Sequence, residues 1–201
     1  MSESTHGRFR FRGETTRADG WRIRMVSATF EAPDGERFTR DIVRHPGAVA
    51  VVPVTERGTV VLVRQYRAPV DRELLEIPAG TRDVPGEPAA VTAARELQEE
   101  TGLRAGRLEH LVTFYNSPGF CDEETVLFLA TDLQTVPDGR EGIEERHMTV
   151  EEVPLGDIER LAAEGTVDGQ TMLGMLLARD HLGSRLPAGD RSGDGGHRPV
   201  G

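Results

Sequence analysis

Three carboxylates, Glu96, Glu99 and Glu100, fall within five residues of a segment with strong helical spacing, Gly80 to Leu103. Pro88 suits the first helical turn, Ala90, Ala94 and Leu97 recur as an apolar stripe, and Gly102 suits the left-handed residue after the end, so the spacing predicts a helix from about Pro88 to Thr101. Glu96 and Glu100 are then like charges one turn apart, in the half of the helix where the dipole favours cations. Each effect is unfavourable by a few tenths of a kcal/mol, up to about 1 for the dipole. A hard divalent ion reverses both signs. Mg²⁺ takes carboxylate and water oxygens and activates water against phosphate esters and anhydrides. The competing reading of a Glu-rich helix is a solvated face.

The order of the residues goes further. Gly80, Glu87, Arg95, Glu96, Leu97, Glu99, Glu100, Gly102 and Leu103 occupy the named positions of the Nudix box, and the chain resembles the Nudix hydrolases. One departure is that six residues, not five, separate Gly80 from Glu87, the extra one falling in the Asp83-Val84-Pro85-Gly86 turn ahead of the carboxylates. The flanks His45-Pro46-Gly47-Ala48, Val63-Arg64-Gln65-Tyr66-Arg67 and Leu75-Glu76-Ile77-Pro78-Ala79-Gly80 are similar to ADP-ribose pyrophosphatases within that family, as is Pro118, sixteen residues past Gly102. Read alone, Pro118 is a turn residue.

That resemblance implies an α/β (α+β) Nudix fold: a mixed β-sheet sandwiched between helices, with a small N-terminal antiparallel β unit. It implies Mg²⁺, with Mn²⁺ as a substitute, held by Glu96, Glu99, Glu100 and the Ala79 carbonyl. It implies a general base on a loop after the box, for which Glu144 is chosen and Glu145 is the close rival. Arg67 and, across a dimer, Arg40 are expected at the substrate phosphates, Trp21 on the adenine, and Pro118 near the site. Gly80, Glu87, Arg95 and Gly102 are structural members of the box, Arg95 orienting a carboxylate. The implied reaction is hydrolysis of ADP-ribose to AMP and ribose 5-phosphate by a homodimer with exchanged N-terminal strands. The alternatives are another nucleoside diphosphate sugar or a dinucleotide as substrate, and a non-catalytic module that senses ADP-ribose.

Composition bounds these readings. The formal net charge of -10 argues against a nucleic-acid surface built on bulk charge. The chain contains no lysine, which excludes a Walker A loop and Schiff-base chemistry and leaves arginine to hold phosphate. Cys121 is the single cysteine, so no intrachain disulfide forms, and no apolar run reaches membrane-spanning length. A cytoplasmic enzyme without membrane or nucleic-acid partners is expected.

The elements that must position the box follow from patterning. Residues 1–18 and 184–201 read as tails, 19–46 as the N-terminal β unit and 47–183 as the Nudix domain. Strands are expected over Trp21–Ala32 and Glu36–Arg44 around a Pro33-Asp34-Gly35 turn, then Ala48–Val54, Thr59–Tyr66, Leu74–Ile77, Leu108–Phe114, Thr125–Thr131 and Met148–Val153. Two further helices are expected, Asp157–Glu164 and Gln170–Leu182, the second capped by Asp168, ended by Gly183 and packed through Met172, Leu173, Leu176 and Leu177.

Overall fold

The structure is a computed structural model that describes residues 8–137, 139 and 147–185. Ten strands and three helices are present among them: β1 (Arg10–Asp19), β2 (Arg24–Glu31), β3 (Arg37–Arg44), β4 (Ala48–Pro53), β5 (Thr59–Arg67), β6 (Arg72–Glu76), β7 (Ala79–Thr81), α1 (Ala89–Thr101), β8 (Leu103–Tyr115), β9 (Glu124–Thr135), β10 (Thr149–Pro154), α2 (Ile158–Ala163) and α3 (Gly169–Arg185).

At the centre is a mixed four-stranded sheet in the order β7-β4-β9-β8, with β4 and β9 parallel and the other pairs antiparallel. All six residues of β4 are buried, because both faces of this sheet are covered. Alternation sorts them. Val49 and Val51 face α1 through Ala93 and Leu97, joined by Phe128 and Ala130 of β9. Ala50 and Val52 face the opposite layer, where the antiparallel β10-β5-β6 sheet, α2 and α3 contribute Leu62, Leu75, Ile158, Leu161 and Met175. This is the mixed sheet between helices that the family resemblance implies.

The third sheet, β1-β2-β3, is antiparallel and N-terminal. Its β2–β3 turn closes as expected at Pro33-Asp34-Gly35, with the Gly35 N–H on the Ala32 carbonyl and Gly35 at φ +90°. Its extent corrects the sequence reading, which left residues 1–18 as a tail. Arg10–Asp19 is a full strand paired with β2 from Arg10↔Glu31 to Asp19↔Arg24. Nine of its ten residues are exposed, so it carries no hydrophobic alternation and is held by the backbone ladder and by ion pairs such as Arg44 to Glu14 at 2.6 Å. The first expected strand is correspondingly shorter, because residues 20–23 turn the chain from β1 into β2 and leave Trp21 in that turn, 91% exposed.

Two other local expectations shift. The fully buried face of α3 is Thr171, Gly174, Met175 and Ala178; of the expected packing residues Met172 and Leu177 lie partly buried against the same core, while Leu176 is 40% exposed and Leu173 lines the cleft described below. Small residues win this face because the helix lies close on the sheet: a Cβ on Gly174 would stand 2.9 Å from Val52 Cγ2 and 3.0 Å from Ile77 Cδ1. Thr171 adds its hydroxyl as acceptor for the Ile77 N–H at 3.0 Å. At its start the helix is capped as read, Asp168 accepting the Thr171 N–H at 2.8 Å, but at its end it runs through Gly183 to Arg185. Gly183 has open space around it and no positive φ, so nothing there demands a stop.

Gly174→Val should destabilise the protein by about 1–3 kcal/mol through overpacking. A lower urea midpoint with an unchanged slope of the unfolding transition would show it.

Candidate active site

Helix α1 is tied at both ends to the segments it must serve. It starts after Pro88 and ends at Gly102, which is left-handed at φ 67° and donates its N–H to the Gln98 carbonyl at 2.9 Å. Leu97 and Ala93 are fully buried against the central sheet. Burying a leucine contributes about 1.5–3 kcal/mol, which fixes the rotation of the helix. That rotation carries Glu100, seven residues on from Ala93, onto the buried side, where it is only 7% exposed.

The edge strand β7 waits there. It pairs with β4 through Ala48↔Thr81, Val49↔Gly80 and Ala50↔Ala79. Glu100 accepts the Ala79 N–H at 3.1 Å. Glu96, one turn earlier, lies against Gly80: a Cβ there would overlap its carboxyl group. The glycine of the box is therefore a space requirement, since its φ is not positive. Two carboxylates thus meet two consecutive residues of one short strand. Desolvation by burial, set against the pull of Arg95, pushes the Glu96 carboxyl above its ordinary range, with Glu99 and Asp83 adding to the rise.

Arg95 supplies the local countercharge of this cluster. Its guanidinium reaches Glu96 at 2.8 Å, Glu99 at 3.2 Å, Glu87 at 3.6 Å and Asp83 at 3.9 Å. One positive charge serves four carboxylates, which leaves a net negative site. Glu87 is also tied back by the Thr92 hydroxyl, which donates to it at 2.7 Å, so its place in the box is that of a clamp on Arg95 and the first turn.

The donor set fits a hard divalent ion. Glu96, Glu100 and the Ala79 backbone offer oxygens only, and the glycine cradle holds a partly buried carboxylate at a cost that a cation offsets. Among the described residues no three His, Cys, Asp or Glu side chains form a closed cage. Such a donor set suits an ion that keeps several waters, as Mg²⁺ does.

β7 also borders a cleft of about 750 Å³. Ala79, Gly80 and Thr81 form part of its wall, and Arg67, Glu76, Tyr115, Asn116, Asp168 and His45 add polar groups. Arg67 is where the sequence placed it, but it is not free: its Nε donates to Glu76 at 2.8 Å, and Glu76 is 2% exposed. The Glu76 hydrogen bond, against desolvation, raises the already high guanidinium pKa, and the fields of Asp168 and Glu100 add to it.

Trp21, Arg40 and Pro118 do not join this cleft within one chain. Trp21 borders a separate recess with Arg22, Pro46, Thr81 and Arg82, its ring covered by the Arg22 guanidinium at 4.6 Å. Arg40 and Pro118 share another recess beside Phe38 and Phe120. Glu144 and Glu145 lie outside the described residues. Sequence reasoning gave Glu76 and His45 only as members of the flanking motifs, assigned no role to Tyr115 or Asn116, and saw Asp168 only as a cap. Glu76 carried a signal: a charge between Leu75 and Ile77 in an apolar strand has to be paired.

A family model described as NUDIX domain matches residues 44–168. This chain belongs to that family. It is 46% identical over 131 residues to the ADP-ribose pyrophosphatase of Bacillus subtilis, an alignment spanning 65% of this chain and 70% of that one. It is 40% identical over 146 residues to the ADP-ribose pyrophosphatase of Mycobacterium tuberculosis, spanning 73% and 70%. A crystal structure of an ADP compounds hydrolase shares the fold at a TM-score of 0.77 and 23% identity, covering 90% of this chain and 97% of that one. The Nudix box is thus the α1–β7 unit described above. No helix of the described residues is long and apolar enough to cross a membrane.

Gly80→Ala should push the Glu96 carboxylate off β7. Hydrolase activity at saturating Mg²⁺ is expected to fall at least about tenfold, the scale of losing one charge-assisted contact, while the thermal midpoint moves little.

Proposed function

We propose that this Nudix protein hydrolyses the diphosphate linkage of ADP-ribose to AMP and ribose 5-phosphate. The observation that carries the reading is the pair of carboxylates, Glu96 and Glu100, brought to the Ala79–Gly80 edge of a cleft large enough for a nucleoside diphosphate sugar. The two ADP-ribose pyrophosphatases at 46% and 40% identity support the choice of substrate.

Glu96, Glu100 and the Ala79 carbonyl would hold Mg²⁺, or Mn²⁺ in its place, with Glu99 beside them. When bound, such ions neutralise phosphate oxygens and lower the pKa of a coordinated water. The residues of this chain supply the rest. Arg95 keeps Glu96 and Glu99 in register by bonding both. Arg67, held in the cleft wall by buried Glu76, presents the remainder of its guanidinium fork to the substrate phosphates. Glu144, with Glu145 as its rival, takes the proton of the attacking water as general base.

A homodimer with exchanged N-terminal strands belongs to this reading. Within one chain, Trp21 and Arg40 stand apart from the cleft on the three-stranded sheet and its turn, and that sheet leaves Phe9 and Phe11 more than half exposed. A second copy is the partner that would cover those rings and bring Arg40 to the phosphates, with Trp21 against the adenine and Pro118 near it. The cytoplasm is the proposed compartment.

Purified protein incubated with Mg²⁺ and ADP-ribose, ADP-glucose, GDP-mannose or a dinucleotide should release AMP and ribose 5-phosphate from ADP-ribose most rapidly. Preferred turnover of another substrate would overturn the assignment. Glu100→Gln should lower kcat by about 10² or more, since it removes a charge aimed at the reacting centre. Unchanged turnover would place the chemistry elsewhere.

A further inference from the structure

His45 sits between β3 and β4, in Arg44-His45-Pro46-Gly47, and every group around it fixes its ring. Its backbone N–H donates to Asp122 Oδ1 at 2.8 Å, and the neighbouring Arg44 guanidinium holds Asp122 Oδ2 at 2.9 Å. Gly47, at φ +96°, turns the chain back so that its N–H donates to His45 Nδ1 at 3.1 Å, while its carbonyl accepts the Arg82 N–H at 3.0 Å. The side chain is only 14% exposed.

An Nδ1 that accepts a hydrogen bond does not carry the proton, so the neutral imidazole carries it on Nε2. Glu123 Oε1, 3.8 Å from Nδ1, is too distant for a hydrogen bond and does not change this assignment. Among the described residues Nε2 has no hydrogen-bond partner, and it is not sealed from solvent. His45 also lines two hollows: the 750 Å³ cleft and, with Trp21, Arg22 and Pro46, a second recess. The arginine of the cleft, Arg67, already spends part of its donor fork on Glu76. A held ring whose Nε2–H is unpartnered among the described residues therefore stands in the lining of the cleft, next to the recess of the exposed tryptophan.

We propose that His45 is a substrate-binding residue whose Nε2–H donates to an oxygen of the nucleoside half of the substrate, on the ribose or its 5′-phosphate. The proposal rests on the reading of ADP-ribose as substrate. The two ring nitrogens have separate duties: Nδ1 holds the turn that delivers the ring, and Nε2 meets the ligand. It is the recess that His45 shares with Trp21, the residue proposed for the adenine, that assigns the nucleoside half rather than the terminal sugar.

The two duties separate by substitution, because an asparagine amide reaches about as far as Nδ1 and a glutamine amide about as far as Nε2. His45→Asn keeps an acceptor for Gly47 and loses the distal donor. His45→Gln restores a donor near the Nε2 position. For His45→Asn, KM for ADP-ribose should rise about five- to tenfold, the value of one hydrogen bond, with kcat falling far less. Inhibition by AMP should weaken by the same factor and inhibition by ribose 5-phosphate should not. His45→Gln should recover most of the AMP affinity. A His45→Asn protein that melts like the wild type and keeps its KM and AMP affinity would overturn the proposal, as would equal weakening toward both products. Should His45→Asn fail to fold, AMP affinity of His45→Gln near wild type supports the proposal and a tenfold loss overturns it. If the wild type leaves ADP-ribose intact, the substrate reading fails, and AMP binding to wild type and His45→Asn by calorimetry decides His45 alone, equal affinities overturning it.

Discussion

The contact on which this protein depends is the seating of α1 across β4 and β7. Leu97 and Ala93 drive it by leaving water, and the same rotation turns Glu96 and Glu100 onto Gly80 and Ala79. Two opposing terms meet in one helix. Burial of Leu97 contributes about 1.5–3 kcal/mol. The effective cost of burying an ionised carboxylate is several kcal/mol unless it is compensated. The compensation is local: it includes an N–H from Ala79 for Glu100, and a single arginine shared among Glu96, Glu99, Glu87 and Asp83. A helix that packs this way keeps a residual negative potential at the strand edge, and that is the physical sense in which the Nudix box is primed for a cation.

The rest of the architecture holds that edge strand in place. β7 has three residues and pairs on one side with β4, which is buried on both faces and parallel to β9. The layer beyond, with α3 lying closely over Val52 and Ile77, fixes the segment Leu75-Glu76-Ile77 that leads into β7. Glu76 then serves both structure and site, since a charge in that strand is tolerated because Arg67 and Gln65 both reach it from β5. Glu76, which pairs with Arg67, and Ala79 and Gly80, which meet the α1 carboxylates, are thus carried by one short stretch of chain, residues 76–81.

Much of this was legible in order and spacing. The register of Glu96, Leu97, Glu99 and Glu100 on one helix, the left-handed Gly102 and the Asp168 cap all follow from periods of three and four and from backbone preferences, which are local properties. What stayed hidden was of two kinds. β1 is exposed along nearly all its length, so its strand character comes from a partner, β2, and leaves no hydrophobic trace. The innermost face of α3 is chosen by how closely it lies on the sheet, so Gly174, Met175 and Ala178 take it, while of the residues patterning favoured Met172 and Leu177 pack against the same core and Leu173 and Leu176 do not. Trp21, Arg40 and Pro118 came from resemblance alone, and one chain does not unite them with the cleft.

The sequence by itself determined the chemical kit and its helical register, because charge, side-chain reach and a 3.6-residue period are written into neighbouring residues. Tertiary structure decided which groups meet across distance: Glu96 on Gly80, Glu100 on Ala79, Arg67 on Glu76, and the His45 ring turned by Gly47 into the wall of the cleft. Those meetings depend on strand pairing and on how closely a helix can lie on a sheet, and both are set by packing among residues far apart in the chain.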